Sequence, residues 1–356
     1  MTHLTYLEAA VVGLFQGISE MFPVSSLGHS VLIPALVGGS WARDLNVAAP
    51  ESPYLAFIVG LHVATALALI IYFWRDWLRI IGGFFSSIRD RRIQTSDQKL
   101  AWMIILATIP VGIAGLAFEH AFRVLFGKPI LAGIFLAVNG LILLAGERFR
   151  TRASLAADAA IAQDREPELV TAGRHSASAR TGSLAGTRAE ARAGGPAGPR
   201  AADRAGDPSG ARAVRQREEA DALQADRRLA STSFPNAVLI GAAQILALLA
   251  GISRDGVTIV AGMRRGLSRE DAARFAFLLA TPVILAAGVL KIPDLFGPLG
   301  KGIHGQILLA SVLSGLGAYL SVRFLLRYLR TKTLTPFGVY CLIAGLASVA
   351  YLGLVR

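Results

Sequence analysis

Gln16-Gly-Ile-Ser-Glu20-Met-Phe-Pro23-Val-Ser25-Ser26-Leu-Gly28-His29 is a polar stretch inside one of the most apolar regions of the sequence. A carboxylate, hydroxyls and an imidazole are costly to place in lipid, so such side chains face a protein-lined cavity when they occur inside a membrane. The apolar segments on either side, 4–19 and 26–38, are shorter than the roughly 20 residues that cross a bilayer. The pattern predicts a re-entrant helical hairpin with a functional site at its turn.

A second stretch, in the other half of the chain, repeats the pattern of the first. The two align without a gap, and Ser26 then falls on Arg254 and Ser30 on Thr258. Four further positions are identical in the alignment: Gly13, Gln16, Ser25 and Gly28 fall on Gly241, Gln244, Ser253 and Gly256. The chain therefore contains an internal duplication.

The composition is that of a polytopic membrane protein. Of the 356 residues 53% are hydrophobic and 17% are charged, and the mean hydropathy is +0.52, which is outside the range of ordinary soluble domains. The net charge of +12 does not indicate nucleic-acid binding, because the basic residues crowd the ends of apolar segments, as the positive-inside rule describes. Cys341 is the single cysteine, so no intrachain disulfide can form.

Each half of the chain follows one plan, a hairpin and then three full spans. A re-entrant hairpin returns to its own side of the membrane, so after three spans the second half starts from the opposite side. We therefore expect an all-α polytopic membrane protein with two inverted repeats. The spans of the first half are predicted at 54–74, 100–119 and 128–147, and the second half has a hairpin at 235–264 and spans at 270–291, 303–327 and 335–354.

Three regions follow from this plan: a first membrane repeat at 1–149, a linker at 150–232 and a second membrane repeat at 233–356. The linker is rich in Ala, Arg, Gly and Ser and has almost no large apolar residues, so it is predicted to be disordered. The main basic clusters all fall on one side of this topology. That side is predicted to be cytoplasmic and to carry the linker, with the N-terminus and the first hairpin outside.

The second hairpin, Gly251-Ile-Ser253-Arg254-Asp255-Gly256-Val-Thr258, has the chemistry of an anion site. Arg254 can hold phosphate oxygens with two parallel hydrogen bonds, and the glycines let backbone N–H groups at a helix start approach an anion. Ser253 could instead cap the helix, and Thr258 could return a hydrogen bond to its own helix. An anionic lipid headgroup is the predicted ligand.

The first hairpin offers a nucleophile and an acid or base. Ser26 and His29 lie three residues apart on one helical face, so His29 could activate Ser26, or water could attack directly with His29 or Glu20 as the base. Ser25 or Ser26 could also serve only as a helix cap. Glu20 could orient the imidazole, form a structural ion pair with Arg254, or hold a divalent cation.

Two further polar residues, His62 and Asn139, lie within predicted spans. Because no motif surrounds either of them, we interpret both as structural.

The two hairpins resemble the two signatures of the undecaprenyl-diphosphate phosphatases, the bacitracin-resistance proteins of bacterial inner membranes. The first signature is Gln16-x-x-x-Glu20 with Pro23-Val-Ser25-Ser26-x-Gly28-His29, and the second is Gly251-x-Ser253-Arg254-x-x-x-Thr258. The stretch from Met263 to Pro282 is similar as well. The resemblance spans both halves of the chain and omits only the linker.

The resemblance implies that the chain removes the terminal phosphate of undecaprenyl diphosphate and so regenerates undecaprenyl phosphate, the lipid carrier of cell-wall synthesis. It also implies a divalent cation, Mg²⁺ or Ca²⁺, and a periplasmic site. The expected partners are the polyprenyl diphosphate and membrane lipids, with a homodimer as a further possibility. The predicted catalytic residues are Glu20, Ser26, His29 and Arg254, the predicted substrate-binding residues are Gln16, Ser25, Gly28, Ser253, Gly256 and Thr258, and the candidate metal ligands are Glu20 and Asp255.

The chain departs from the family pattern at several positions. Gln16 stands where Glu is frequent, Gly60 where a Gln often occurs, and Ala250 and Asp255 where the usual residues are Pro and Ser. Asp255 could help to bind a metal or could weaken anion binding. The departures bear on substrate preference and rate more than on the fold.

A transporter or flippase of polyprenyl phosphates is the alternative function, because inverted repeats with broken helices are typical of secondary transporters. Transport requires a charge clamp but no nucleophile, so the Ser26–His29 pair beside Glu20 favours the enzyme. A non-catalytic scaffold is disfavoured by the number of ionisable groups within the bilayer.

Overall fold

The computed structural model of the protein describes residues 4–45, 53–118, 128–150, 220–297 and 302–354. Within these ranges the chain is helical and contains no β-strand. The helices in chain order are α1 (Tyr6–Met21), α2 (Ser26–Val37), α3 (Gly39–Asp44), α4 (Pro53–Tyr72), α5 (Trp74–Asp90), α6 (Ser96–Ala117), α7 (Pro129–Arg150), α8 (Ala220–Ala230), α9 (Phe234–Ala242), α10 (Arg254–Arg264), α11 (Arg269–Phe296), α12 (His304–Thr331) and α13 (Thr335–Leu354).

The first predicted hairpin is formed by α1 and α2. A capping box starts α1, in which Thr5 accepts a hydrogen bond from the Glu8 N–H and Glu8 accepts one from the Thr5 N–H. Ser25 caps α2 by accepting from the Gly28 N–H at 3.2 Å. Its φ of 66° is uncommon for a residue with a side chain, so the turn holds a strained backbone at the centre of the polar stretch.

The second predicted hairpin is formed by α9, a 3₁₀ segment at Ala243–Leu248, and α10. Ser253 caps α10 by accepting from the Gly256 N–H at 3.1 Å. Gly251 has a φ of 115°, a conformation that L side chains rarely adopt. Both segments predicted as hairpins therefore contain a break in the helix within their polar motifs.

The predicted full spans are confirmed as helices. Five helices of the described part are long and apolar enough to cross a membrane, and the number rises to seven if each of two bent pairs counts as one span. The first predicted span corresponds to α4. The protein is thus a polytopic membrane protein, and the five helices are α6, α7, α11, α12 and α13.

Three helices were not predicted: the short α3, α5 and α8. Helix α5 turns by 84° from α4, and α8 turns by 97° into α9. The sequence predicts a disordered linker that includes residues 220–230, but this boundary is wrong because α8 occupies them. The rest of the predicted linker, 151–219, lies outside the described residues.

Ion pairs and apolar packing hold α8, at the end of the predicted linker, against the rest of the membrane repeats. Asp226 on α8 accepts hydrogen bonds from Arg79 at 2.5 Å and from Arg274 at 3.0 Å. Arg274 also lies 3.0 Å from Asp76, and a second pair joins Arg228 to Asp271 at 2.8 Å. Leu229 of α8 is also fully buried in the core, so α8 is held by apolar packing together with charges whose partners cannot be removed cheaply.

Glycines allow each hairpin to pack closely on a full span of the other half. A Cβ built on Gly13 of α1 would lie 2.6 Å from Ala310 Cα of α12, and one on Gly241 of α9 would lie 2.7 Å from Ala107 Cα of α6. Gly13 and Gly241 are equivalent in the internal alignment, and α6 and α12 are each the second full span of their half.

Candidate active site

The turns of the two hairpins meet. A Cβ built on Gly28 would lie 2.7 Å from Gly251 Cα, and one on Gly256 would lie 3.3 Å from Pro23 Cβ. Larger residues at these glycines would separate the hairpins, and this close approach brings the two polar motifs together.

Asn139 of α7 joins the two turns. Its Nδ2 donates to the Pro23 carbonyl at 3.0 Å, and its Oδ1 accepts from the Ser253 N–H at 3.0 Å. The side chain is fully buried. It is the main partner of both backbone groups, with only a longer contact of 3.8 Å from the Cys341 thiol to the Pro23 carbonyl besides it. Asn139 is structural, as predicted from the sequence, and the structure it stabilises is the contact between the two turns of the site.

Glu20 lies at the centre of the site. Its Oε1 accepts from Arg254 Nη2 at 3.0 Å, and its Oε2 accepts from Gln16 Nε2 at 2.9 Å and from the Ser26 hydroxyl in a short contact. His62 Nε2 lies 3.2 Å from Oε2. Glu20 is 8% exposed, and four helices supply the groups that surround its carboxylate.

His29 does not bond to Ser26, in contrast to the pairing that the helical spacing suggested. Its Nδ1 lies 2.8 Å from the Ser25 carbonyl and its Nε2 lies 2.8 Å from the Tyr340 hydroxyl. A carbonyl only accepts, so Nδ1 carries a proton. The neutral ring then presents Nε2 as an acceptor for the hydroxyl of Tyr340. The rings of Tyr340 and His29 are stacked, with an angle of 7° between their planes.

Arg254 lies between two carboxylates. Besides Glu20, its Nε contacts Asp255 Oδ1 at 3.3 Å, and its side chain is 15% exposed. The ion pair between the hairpins, which the sequence left as an alternative to phosphate binding, is therefore present. An anion that binds Arg254 must compete with Glu20 or share the guanidinium with it.

The remaining predicted residues have local hydrogen bonds. Ser25 and Ser253 cap α2 and α10, and Thr258 Oγ1 donates to the Arg254 carbonyl of its own helix at 2.7 Å. Helix capping and a hydrogen bond within the same helix were the alternatives to ligand binding that the sequence left open for these three side chains. They orient the backbone of the two turns, whether or not they also contact a ligand.

The donor set does not fit a metal ion in the described arrangement. Both oxygens of Glu20 accept hydrogen bonds, and Asp255 Oδ1 is bound to Arg254 while its Oδ2 is buried without a partner among the described residues. No group of three or more His, Cys, Asp or Glu side chains in the described ranges is placed to hold a metal. Glu20 and Asp255 would have to turn away from Arg254 to coordinate a cation.

Sequence reasoning did not assign two site residues. His62 lies in the α4 span, and its only signal was a polar residue in a long apolar segment. Tyr340 lies on α13, where a tyrosine in a membrane helix carries no signal of contact with a histidine more than 300 residues away.

Comparisons with known proteins place the chain in a family. A family model described as "Bacitracin resistance protein BacA" matches residues 9–172 and 211–347. A protein of Mycolicibacterium paratuberculosis named undecaprenyl-diphosphatase is 55% identical over 352 residues, which cover 99% of each chain. One from Frankia casuarinae, undecaprenyl-diphosphatase 1, is 51% identical over 99% of this chain and 100% of its own, and one from Chromobacterium violaceum, undecaprenyl-diphosphatase 2, is 35% identical over 97% and 98%. The chain belongs to the bacitracin resistance protein BacA family.

Proposed function

We propose that this protein is an integral-membrane phosphatase that removes the terminal phosphate of undecaprenyl diphosphate. Its relatives bear the name undecaprenyl-diphosphatase over nearly the full chain. The observation that carries the proposal is the position of Glu20, which accepts the Ser26 hydroxyl while it also binds Arg254. A nucleophile, a proton acceptor and a phosphate-binding cation then lie at one point.

The geometry supports a covalent route with Glu20 as the base. Arg254 binds the terminal phosphate, Ser26 Oγ attacks its phosphorus, and the Ser26 proton passes to Glu20. The bond between that phosphorus and the bridging oxygen breaks, and undecaprenyl phosphate leaves. Water then attacks the phosphoserine, and one proton of the water passes to His29 Nε2, which must first give up its hydrogen bond with the Tyr340 hydroxyl. Inorganic phosphate leaves, and Ser26 regains its proton from Glu20. Direct attack by water remains the alternative for the first step.

Phosphate release tests the proposed function. Purified protein is given undecaprenyl diphosphate, with and without a chelator, and inorganic phosphate is measured. We expect release by the wild type and none by Ser26→Ala. The chelator arm tests the divalent cation, which stays a prediction and is not favoured by the donor set. No release by folded wild-type protein in any metal would contradict the proposal.

The packing supports the inverted repeat. In the internal alignment Pro23 is equivalent to Gly251 and Gly28 to Gly256. The contacts of Gly28 with Gly251 and of Gly256 with Pro23 are therefore one contact made twice, with the halves exchanged. The exchanged packing of Gly13 and Gly241 follows the same rule. This symmetry also suits a transporter, but the contact between Ser26 and Glu20 favours the enzyme.

We place the protein in the bacterial inner membrane with the site outside and the linker cytoplasmic, since the basic clusters support this orientation. Cys341 is the only cysteine and is buried, so a cysteine introduced elsewhere can be labelled selectively. A cysteine at position 92 should be protected from an impermeant reagent in intact cells, and labelling there would reverse the topology. Association into a homodimer stays a prediction for size measurement in detergent.

A further inference from the structure

Helix α5 turns its apolar residues away from the protein and its polar residues toward it. Its exposed apolar side chains, which we call the outer stripe, are each between 48% and 65% exposed and recur at intervals of four and three residues: Trp74, Leu78, Ile81, Phe85 and Ile88. The opposite face is buried and holds Asp76, Ile80, Gly83 and Ser87. A helix that borders water shows the reverse arrangement, so the outer stripe indicates an apolar neighbour.

The buried face of α5 is fixed by contacts with α6. Ser87 Oγ accepts a hydrogen bond from Trp102 Nε1 at 2.9 Å. A Cβ built on Gly83 would lie 2.7 Å from the Asp97 carbonyl carbon, so α5 packs directly on the start of α6. The outer stripe therefore cannot turn inward without breaking this packing.

The path of the chain indicates that α5 lies at a membrane surface. Helix α4 has 20 residues, enough to cross a bilayer, and α5 turns from it by 84°, so α5 runs nearly parallel to the membrane plane. With its 17 residues it is about 25 Å long, which is too short for a span of its own. Exposed apolar side chains continue through the bend, from Leu67 and Ile71 of α4 to Trp74. The outer stripe thus extends the lipid-facing surface of a span.

Basic residues lie at both ends of the outer stripe. At the first end the guanidinium carbon of Arg75 lies 5.2 Å from the centre of the neighbouring indole ring. Three exposed arginines follow the second end: Arg89, Arg91 and Arg92. Asp90 offsets one of these charges through its pair with Arg89 at 3.0 Å. The remaining positive charge complements anionic lipid headgroups.

We propose that α5 is an interfacial membrane helix that binds a leaflet containing anionic lipid. The outer stripe lies among the upper acyl chains, and the arginines at its ends contact the headgroup phosphates. A second copy of this chain fits the stripe less well. Because both ends of the stripe are basic, a symmetric contact between two stripes would place arginines opposite arginines in either direction.

Nitroxide labels on introduced cysteines identify what covers the outer stripe. Phe85→Cys carries the label on the stripe, Ile109→Cys carries it on the exposed apolar face of α6 as the lipid control, and Gln94→Cys carries it in the exposed loop before α6 as the water control. The full chain is reconstituted in vesicles of phosphatidylglycerol and phosphatidylcholine. Collisions of each label with oxygen, which concentrates in lipid, and with a water-soluble nickel chelate are then measured. Folding is checked by elution in detergent, and Leu78→Cys serves if Phe85→Cys does not fold.

We expect the label on the stripe to collide mainly with oxygen, as the lipid control does. A preference for the nickel chelate, as in the water control, would show that the stripe lies in water. Few collisions with either reagent would show that a protein surface covers the stripe. Either of these results overturns the proposal.

A charge-matched pair of variants tests the anionic lipid. The first replaces the three arginines after the stripe: Arg89→Gln, Arg91→Gln and Arg92→Gln. The control replaces three exposed basic residues at the end of α12: Arg323→Gln, Arg327→Gln and Lys332→Gln. A bimane label on Phe85→Cys reports the neighbouring lipid through its quenching by brominated phosphatidylglycerol or brominated phosphatidylcholine.

We expect quenching to favour phosphatidylglycerol by about fivefold or more, the factor that one arginine near the surface supplies. This preference should fall toward one in the α5 variant and persist in the α12 variant. Equal quenching by the two lipids without the glutamine substitutions, or an equal loss in both variants, would overturn the assignment of anionic lipid to α5.

Discussion

At the scale of single residues, Glu20 is the point where the candidate site residues meet, because Ser26, Gln16, His62 and Arg254 all contact its carboxylate. We expect Glu20→Gln to lower kcat by about 1000-fold, within the range of a general base, because a carboxamide cannot accept the Ser26 proton. The variant keeps the shape of the side chain but loses the ion pair with Arg254, so thermal unfolding is measured beside activity. Phosphate release from purified protein measures the effect, and activity within tenfold of wild type would remove Glu20 from the proton transfer.

Arg254→Lys tests how the phosphate is held. Lysine keeps the charge but loses the two parallel N–H donors that match phosphate oxygens. We predict a fall of about 100-fold in kcat/KM, similar to the loss of one donor to a developing charge, in a protein that still folds. Near-normal turnover by the lysine variant would show that Arg254 serves mainly as the ion-pair partner of Glu20.

The sequence predicted that Glu20, Ser26 and Arg254 lie close together at one site, because each lies in a motif and the internal duplication pairs the two motifs. It chose the wrong partner for Ser26, since helical spacing favours His29 within α2, whereas Glu20 reaches Ser26 across the Pro23 turn. It could not assign His62, because one histidine in an apolar span looks the same whether or not it contacts a distant carboxylate.

At the scale of elements, the site requires that the starts of α2 and α10 stay close together, and Asn139 of α7 bonds to the turns before both helices. Asn139→Ala leaves the Ser253 N–H without this partner and leaves the Pro23 carbonyl only the weak contact with the Cys341 thiol at 3.8 Å. The loss destabilises by about 1–3 kcal/mol for each group. We expect a lower Tm in detergent and a lower kcat. The control is Thr108→Ala, which removes only a hydrogen bond to the Ile104 carbonyl of its own helix. Equal Tm values for the two variants would contradict the role of Asn139.

The length of the apolar segments predicted the long spans, because a run of about 20 apolar residues is what a helix needs to cross the bilayer. It missed α5 and α8, which contain many charged residues. Their order comes from partners far along the chain, as Asp226 shows with Arg79 and Arg274. Composition alone therefore predicts a linker for such a segment.

At the scale of the whole molecule, the ion pairs of α8 define which part of the linker is dispensable. A deletion of 155–217 should leave membrane insertion and activity intact. A deletion of 155–228 also removes Asp226 and Arg228 and leaves Arg79, Arg274 and Asp271 without these partners, which costs about 3 kcal/mol or more. Folded protein in the membrane fraction and its Tm distinguish the two. Equal stability of both deletions would show that α8 is not needed.

In the proposed covalent route Ser26, with Glu20 as its base, attacks the terminal phosphate of undecaprenyl diphosphate. The most direct measurement uses substrate labelled on that phosphate, excess enzyme and a rapid acid quench. His29→Ala should slow the second step and leave label on the protein at Ser26, with none on Ser26→Ala. Absence of protein-bound label at every time, together with turnover by Ser26→Ala, would contradict the claim and leave Ser26 as a hydrogen-bond donor to the substrate.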